Sequence, residues 1–173
     1  MSTPLNATAA SILGLLTLKP MSGWDLYGTF EETIGQFWSV SRSQVYRELR
    51  TLAAAGLIEI GATGARERRL CTIEPAGRRV FSEWIAREPG SELIRFPLLL
   101  TTFFADAVPP ERLRGMFVAQ RRMHAEQLAN YERQLPDVRA HAPYPALTLE
   151  FGIGYERAVL AWIDGLPWMK KAL

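Results

Sequence analysis

The 173-residue chain is 48% hydrophobic and carries a net charge of only +2. That is enough apolar side chain for a sizeable core, in one domain or two small ones, and the chain is no polycation. A single cysteine, Cys71, excludes an internal disulfide and any cysteine-rich metal site. The first residues, Met1-Ser2-Thr3-Pro4-Leu5-Asn6, show no basic region leading into an apolar run. The apolar stretches near 12–18 and 96–105 are too short to cross a bilayer, so no membrane partner is expected, and the lone cysteine fits the expectation of a reducing cytoplasm.

Asn6 or Thr8 can cap a first helix through Ala9–Leu16. That helix is apolar nearly all round and must be buried, either in its own domain or against a partner chain. Lys19-Pro20-Met21-Ser22-Gly23 breaks it. Ser22 opens a second helix, Trp24–Ile34, with Leu26, Tyr27, Phe30 and Ile34 on its buried side. Phe37 and Trp38 stand in the connection to the third helix.

That third helix is the stretch the chain is organised around. Ser41 is its N-cap, Val45, Leu49 and Leu52 share one face at i, i+4, i+7, and Gly56 stands just past its end. At about 100° per residue the opposite side carries Ser43, Arg47 and Arg50. Tyr46 and Gln44 lie on the flanks and Arg42 at the N-terminal edge. Such side chains reach base edges and phosphates, although Tyr46 could instead pack on the second helix. A solvated amphipathic helix would look the same in isolation.

The neighbours decide between the two readings. Leu57–Ile60 reads as a strand, Gly61–Ala65 as a turn, and Arg68–Ile73 as the returning strand. Three helices followed by a hairpin with Arg66, Arg68 and Arg69 near its tip make a winged helix-turn-helix. From Gln36 to Arg79 there are eight Lys/Arg against four Asp/Glu, while Arg87 to Leu173 is nearly balanced at eleven against ten. The positive excess therefore surrounds the third helix, where nucleic-acid binding would place it.

Pro75–Ile85 reads as a further helix, and Arg87-Glu88-Pro89-Gly90-Ser91 as the boundary between a DNA-binding domain (1–86) and a helical dimerisation and effector domain (92–173). In the second domain, Phe96–Phe104 reads as a short buried helix. Glu111 to Leu135 is a long packing helix with its stripe at Leu113, Phe117, His124, Leu128, Tyr131 and Leu135. Pro136, Pro143 and Pro145 read as a loop. Ala146 to Trp162 is a last helix whose stripe is Leu147, Phe151, Tyr155, Val159 and Trp162. The expected fold is mainly α, and the long apolar stripes imply a homodimer reading an inverted repeat in double-stranded DNA.

An enzyme reading finds no support. His124 and His141 are the only histidines, and there is no metal-binding spacing, nucleophile elbow, P-loop or dinucleotide fingerprint. No catalytic residue, metal or cofactor is therefore assigned. A different class stays open at this point: a winged-helix module whose third helix meets an acidic protein and has no DNA affinity.

Several stretches resemble the PadR family of bacterial transcriptional regulators. They are Ile12-Leu13-Gly14-Leu15-Leu16, Pro20 to Leu26, Phe37-Trp38-Ser39-Val40-Ser41 with Gln44 to Leu49, and Gly56-Leu57-Ile58. Arg68 to Arg78 is similar to the family's wing and following helix. Gly154-Tyr155-Glu156-Arg157-Ala158 with Trp162-Ile163 looks like its longer-tailed, phenolic-acid-responsive branch. Trp24 stands where the family usually has Tyr, and Cys71 and Glu74 where an aromatic and a Thr are common. The resemblance implies a dimeric winged-helix repressor whose C-terminal helices exchange between subunits and, as in some members, an aromatic or other small hydrophobic effector bound near the dimer interface. Trp24, Phe103, His124 and Tyr131 are the candidate effector-binding residues.

Overall fold

In a computed structural model the chain forms two compact units, Met1–Glu92 and Leu93–Leu173. The structure describes residues 5–35, 37–62, 69–91 and 95–170.

The N-terminal unit contains α1 (Ala7–Leu18), β1 (Met21–Ser22), α2 (Gly23–Thr33), α3 (Arg42–Ala54), β2 (Ile58–Ile60), β3 (Leu70–Ile73) and α4 (Pro75–Ile85). Asn6, not Thr8, caps α1: its Oδ1 accepts the Ala9 N–H at 2.8 Å. Ile12, Leu13 and Leu16 on α1, Leu26 and Phe30 on α2, and Val45, Leu49 and Leu52 on α3 meet in one core, so the nearly all-apolar α1 is buried by its own unit. Ile58, Cys71 and Ile73 close that core from the sheet. The Trp84 indole N–H donates to the Leu5 carbonyl at 3.0 Å and ties α4 to the start of the chain.

The sheet has one strand more than the expected hairpin. Its order is β1-β3-β2, antiparallel throughout, with Met21 opposite Cys71 and Ile58 opposite Ile73. β1 lies in the segment read as a mere break. Two residues are too few to show alternation, and the strand exists because β3 offers it a partner edge. Gly77 fixes α4 against this layer: a Cβ there would stand 2.1 Å from the Leu57 carbonyl oxygen, so only glycine permits the approach.

The C-terminal unit contains α5 (Pro97–Phe103), a short 3-10 turn (Ala105–Ala107), α6 (Pro110–His141), α7 (Pro143–Gly165) and α8 (Pro167–Lys170). α6 and α7 form an antiparallel pair. Phe117 packs with the Trp162 and Trp168 rings near one end, and Arg139 pairs with Glu150 near the other.

Three expectations need correction here. α6 continues through Pro136 instead of ending at a loop. Leu135 and Val138 are half-buried on either side of that proline, and this packing outweighs the one backbone hydrogen bond proline cannot make. Pro143 and Pro145 start α7, because the first turn of a helix has no use for their missing N–H groups. The face of α7 packed within the unit is Ala146, Ile153, Glu156, Val159 and Ile163. Leu147, Phe151 and Tyr155 of the expected stripe are exposed. α5 is likewise not buried as expected: Leu98 faces inward, while Leu99, Leu100, Phe103 and Phe104 face out. Among the described residues no helix is long and apolar enough to cross a membrane.

Candidate nucleic-acid interface

α3 is held at both ends and along its inner face. The Gln44 N–H donates to Ser41 Oγ at 3.3 Å and the Ser41 N–H donates to Gln44 Oε1 at 2.7 Å, a reciprocal capping box. At the other end Gly56 takes φ +68°, with the Gly56 N–H on the Ala53 carbonyl and the Leu57 N–H on the Leu52 carbonyl, both at 3.0 Å. This is a Schellman stop, and it needs glycine because other residues pay strain at that φ.

Glu48 adds a polar anchor on the inner side. Its buried carboxylate accepts from Asn6 Nδ2 at 3.3 Å and from Arg47 Nη2 at 3.4 Å. The side chain that caps α1 therefore also grips α3. Sequence reading passed over Glu48, although its place between Val45 and Leu52 on the inner face was a usable signal.

The outward face carries what the spacing predicts. Ser43, Arg47 and Arg50 are all exposed. Gln44 is half-buried, and its carbonyl oxygen serves the cap, which leaves its NH2 group for any other contact. Tyr46 packs on the second helix, one of the two readings the sequence left open, without being buried by it. Its ring lies so close over Gly23 that a Cβ there would meet it at 2.6 Å, yet 39% of the residue remains exposed. Arg42 sits over the rings of Trp24 and Tyr27, at 4.2 and 5.2 Å from their centroids.

On the wing, Arg66 and Arg68 lie outside the described residues. Arg69 is exposed and its Nε donates to the Gly61 carbonyl at 3.0 Å, beside a Gly61 N–H bond to Leu70 that closes the base of the hairpin. Arg50 and Arg69 meet along a shallow groove of about 280 Å3 that also exposes Trp24, Tyr46 and the first residues of α2. Two guanidinium groups thus stand beside the N-terminal end of α2, whose first turn also carries the Asp25 carboxylate. Cys71 lines its floor, where burial pushes the thiol up against the opposing pull of Arg69. A raised thiol is a poor nucleophile, which fits a packing role.

The four candidate effector residues are divided between the two units. Trp24 belongs to the N-terminal unit and is covered by Arg42. Phe103 is 81% exposed and stacks edge-on with Phe104 at 4.9 Å. His124 and Tyr131 lie two turns apart in the α6–α7 seam. His124 Nδ1 is 2.5 Å from Glu156 Oε2, with both side chains buried. His124 Nε2 is buried with no hydrogen-bond partner among the described residues, and the Phe96 and Tyr155 rings stand about it. Tyr131 packs against Gly152, and burial pushes its phenol up, as it does for Tyr155. Glu156 was missed by sequence reading as a site residue. It stands three residues after Ile153 and three before Val159, so a carboxylate on an apolar stripe was the available clue. Among the described residues no cluster of His, Cys, Asp or Glu could hold a metal.

A three-helix core, an exposed polar third helix and a strand-paired wing define a winged-helix regulator. Residues 12–83 match the model of the transcriptional regulator PadR-like family, and residues 94–166 that of the virulence activator alpha C-terminal domain. The chain is 26% identical over 169 residues to the negative transcriptional regulator PadR of Bacillus subtilis (strain 168), covering 90% of this chain and 93% of that one. Bacillus subtilis PadR in complex with operator DNA is similar at TM-score 0.76 and 23% identity, over 94% of this chain and 97% of that one. The same protein in complex with p-coumaric acid is similar at TM-score 0.70 and 25% identity, over 92% and 95%. Residues 12–83 of the chain are thus a PadR-like transcriptional regulator domain.

Proposed function

We propose that this regulator is a cytoplasmic, homodimeric repressor that binds an inverted-repeat operator and leaves it when a small aromatic acid binds. The observation that carries the reading is the outward face of α3. Ser43, Arg47 and Arg50 point away from a core that fixes the helix at both ends. Ser43, Tyr46, Arg47 and Arg50, with the free NH2 of Gln44, read the major groove. Arg42 and the wing arginines Arg66, Arg68 and Arg69 hold phosphates, which position the protein without reading sequence.

Dimerisation is supported by the C-terminal unit, which leaves Leu100, Phe103, Leu147 and Phe151 exposed on helices that otherwise pack well. Apolar faces of this kind are characteristic of interfaces, and a two-fold dimer places two recognition helices about one DNA turn apart. Effector release is supported by the likeness to PadR bound to p-coumaric acid. In this chain the buried, unpartnered His124 Nε2 among aromatic rings offers a polar contact for such a ligand. An effector that binds the DNA-free dimer better shifts the population away from the operator complex.

The test is a gel-shift titration against the upstream region of its own gene, at two salt concentrations and with nonspecific competitor. Binding that survives competitor at physiological salt supports the reading, and phenolic acids can then be screened for release. Arg47→Ala is expected to weaken specific binding by about 1–3 kcal/mol. Unchanged operator affinity in that variant would remove Arg47 from the interface. Absence of DNA affinity even at low salt would favour a protein-interaction module.

A further inference from the structure

Trp24 is the second residue of α2 and Arg42 the first of α3, and the two side chains meet. The Arg42 guanidinium carbon stands 4.2 Å from the Trp24 ring centroid and 5.2 Å from that of Tyr27, both within cation–π reach. Trp24 remains 52% exposed, so the indole is not there chiefly to fill the core. Arg42 is the first residue of α3, where the positive end of the helix dipole disfavours a cation. The two ring faces supply the negative potential that offsets this. A guanidinium seated on a ring has lost rotamer freedom before it binds anything, yet its N–H donors are not consumed as a carboxylate would consume them.

Resting on the DNA-binding reading above, we infer that Trp24, backed by Tyr27, is a positioning residue that presents Arg42 to a DNA phosphate at the N-terminal edge of the recognition helix. Trp24 then acts on DNA affinity through Arg42 and not on effector binding. Because the contact is with phosphate, it contributes equally to operator and to unrelated DNA.

The experiment is an anisotropy titration of the full chain against its upstream duplex and a scrambled duplex over a range of salt, for the unaltered protein, Trp24→Ala, Trp24→Tyr, Arg42→Ala and the double variant. Trp24→Ala is expected to weaken both duplexes alike, by about three- to tenfold. The log–log salt slope becomes shallower by up to about one unit per subunit. Trp24→Tyr retains most of the affinity, and Trp24→Ala adds nothing to Arg42→Ala. A purely structural Trp24 would cost the same in the Arg42→Ala background, and that result overturns the inference. So does Trp24→Ala binding normally while Arg42→Ala does not.

An unaltered protein with no affinity for either duplex would overturn the DNA-binding reading and this role with it. The stack itself is tested without DNA. The Arg42 Cδ protons should be shifted upfield by the ring current in the free protein and return to the ordinary arginine position in Trp24→Ala. Absence of that shift overturns the positioning contact whatever the titrations give.

Discussion

Residues 5–91 and 95–170 use their apolar side chains differently. In the first unit, one core runs from Ala9 to Ile73 and takes in residues from all three of the first helices and from the sheet. The large hydrophobics it leaves outside include Trp24 on α2, Phe37 and Trp38 in the connection to α3, and Tyr46 on α3. In the second unit, the buried cluster is Leu98, Leu113, Phe117, Val159 and Ile163 among the described residues. Leu100, Phe103, Tyr144, Leu147 and Phe151 stand in the open. The first unit is a finished domain with an aromatic-rich outer face. The second is a half-finished one, whose apolar stripes exceed what two antiparallel helices can cover.

The comparison fails first if the N-terminal core is not the stabilising element it is taken to be. Phe30 is fully buried in it, and Phe30→Ala should cost about 3–5 kcal/mol in a urea melt. A cost under 1 kcal/mol would mean the unit is loosely packed.

In the second unit, the seam between α6 and α7 is specified by a buried polar pair as much as by its apolar cluster. Glu156→Ala strands the His124 ring and should destabilise by about 3 kcal/mol. Replacing His124 and Glu156 together by apolar residues should recover much of that loss, since it removes both buried polar groups. Failure of the double replacement to recover stability would mean that the pair does more than partner itself.

The exposed stripe sharpens the contrast further. Phe151→Asp places a carboxylate on that face and should weaken self-association about 100-fold by analytical ultracentrifugation, close to 2.7 kcal/mol. Secondary structure should be unchanged, because Phe151 touches little in its own chain. An unaltered oligomer would show that the stripe is not the interface.

The smallest effect belongs to the surface. Arg121 reaches Asp164 with two hydrogen bonds, of 2.6 and 3.1 Å, across the seam. That guanidinium holds the Asp164 carboxyl below the usual carboxylate range. A lowered folded-state value gives stability that is present at neutral pH and is lost as acid titrates through that value. Both side chains are half exposed to water, so Asp164→Asn should barely shift the neutral-pH melt and should flatten only its strongly acid limb. A large loss at neutral pH would contradict the reading of this pair as solvent-screened.

The same contrast explains what could be read in advance. In the N-terminal unit the punctuation is local. Asn6, Ser22 and Ser41 cap helices through their own side chains, and Gly56 ends α3 by its own φ. Such signals depend on a few neighbouring residues, so a sequence displays them. β1 was not legible, because two residues pair only where β3 happens to pass. In the C-terminal unit the periodicity of α7 was legible but its direction was not. The expected stripe faces outward at Leu147, Phe151 and Tyr155 and turns inward only at Val159 and Trp162. Which face packs on α6 is decided by Glu156 meeting His124 and by Gly152 admitting the Tyr131 ring. Those are contacts between residues 21 or more positions apart. The outward face of α3 followed from helical spacing alone, whereas the Trp24–Arg42 contact required the angle between α2 and α3.

The most direct test of the whole account is a hydroxyl-radical footprint of the regulator on its own upstream DNA. A dimeric winged-helix repressor predicts two protected half-sites, related by dyad symmetry and spaced about one helical turn, 10–10.5 base pairs, apart. The Phe151→Asp variant should lose both halves together. Protection of a single isolated half-site, or none at concentrations where the protein is dimeric, would contradict it.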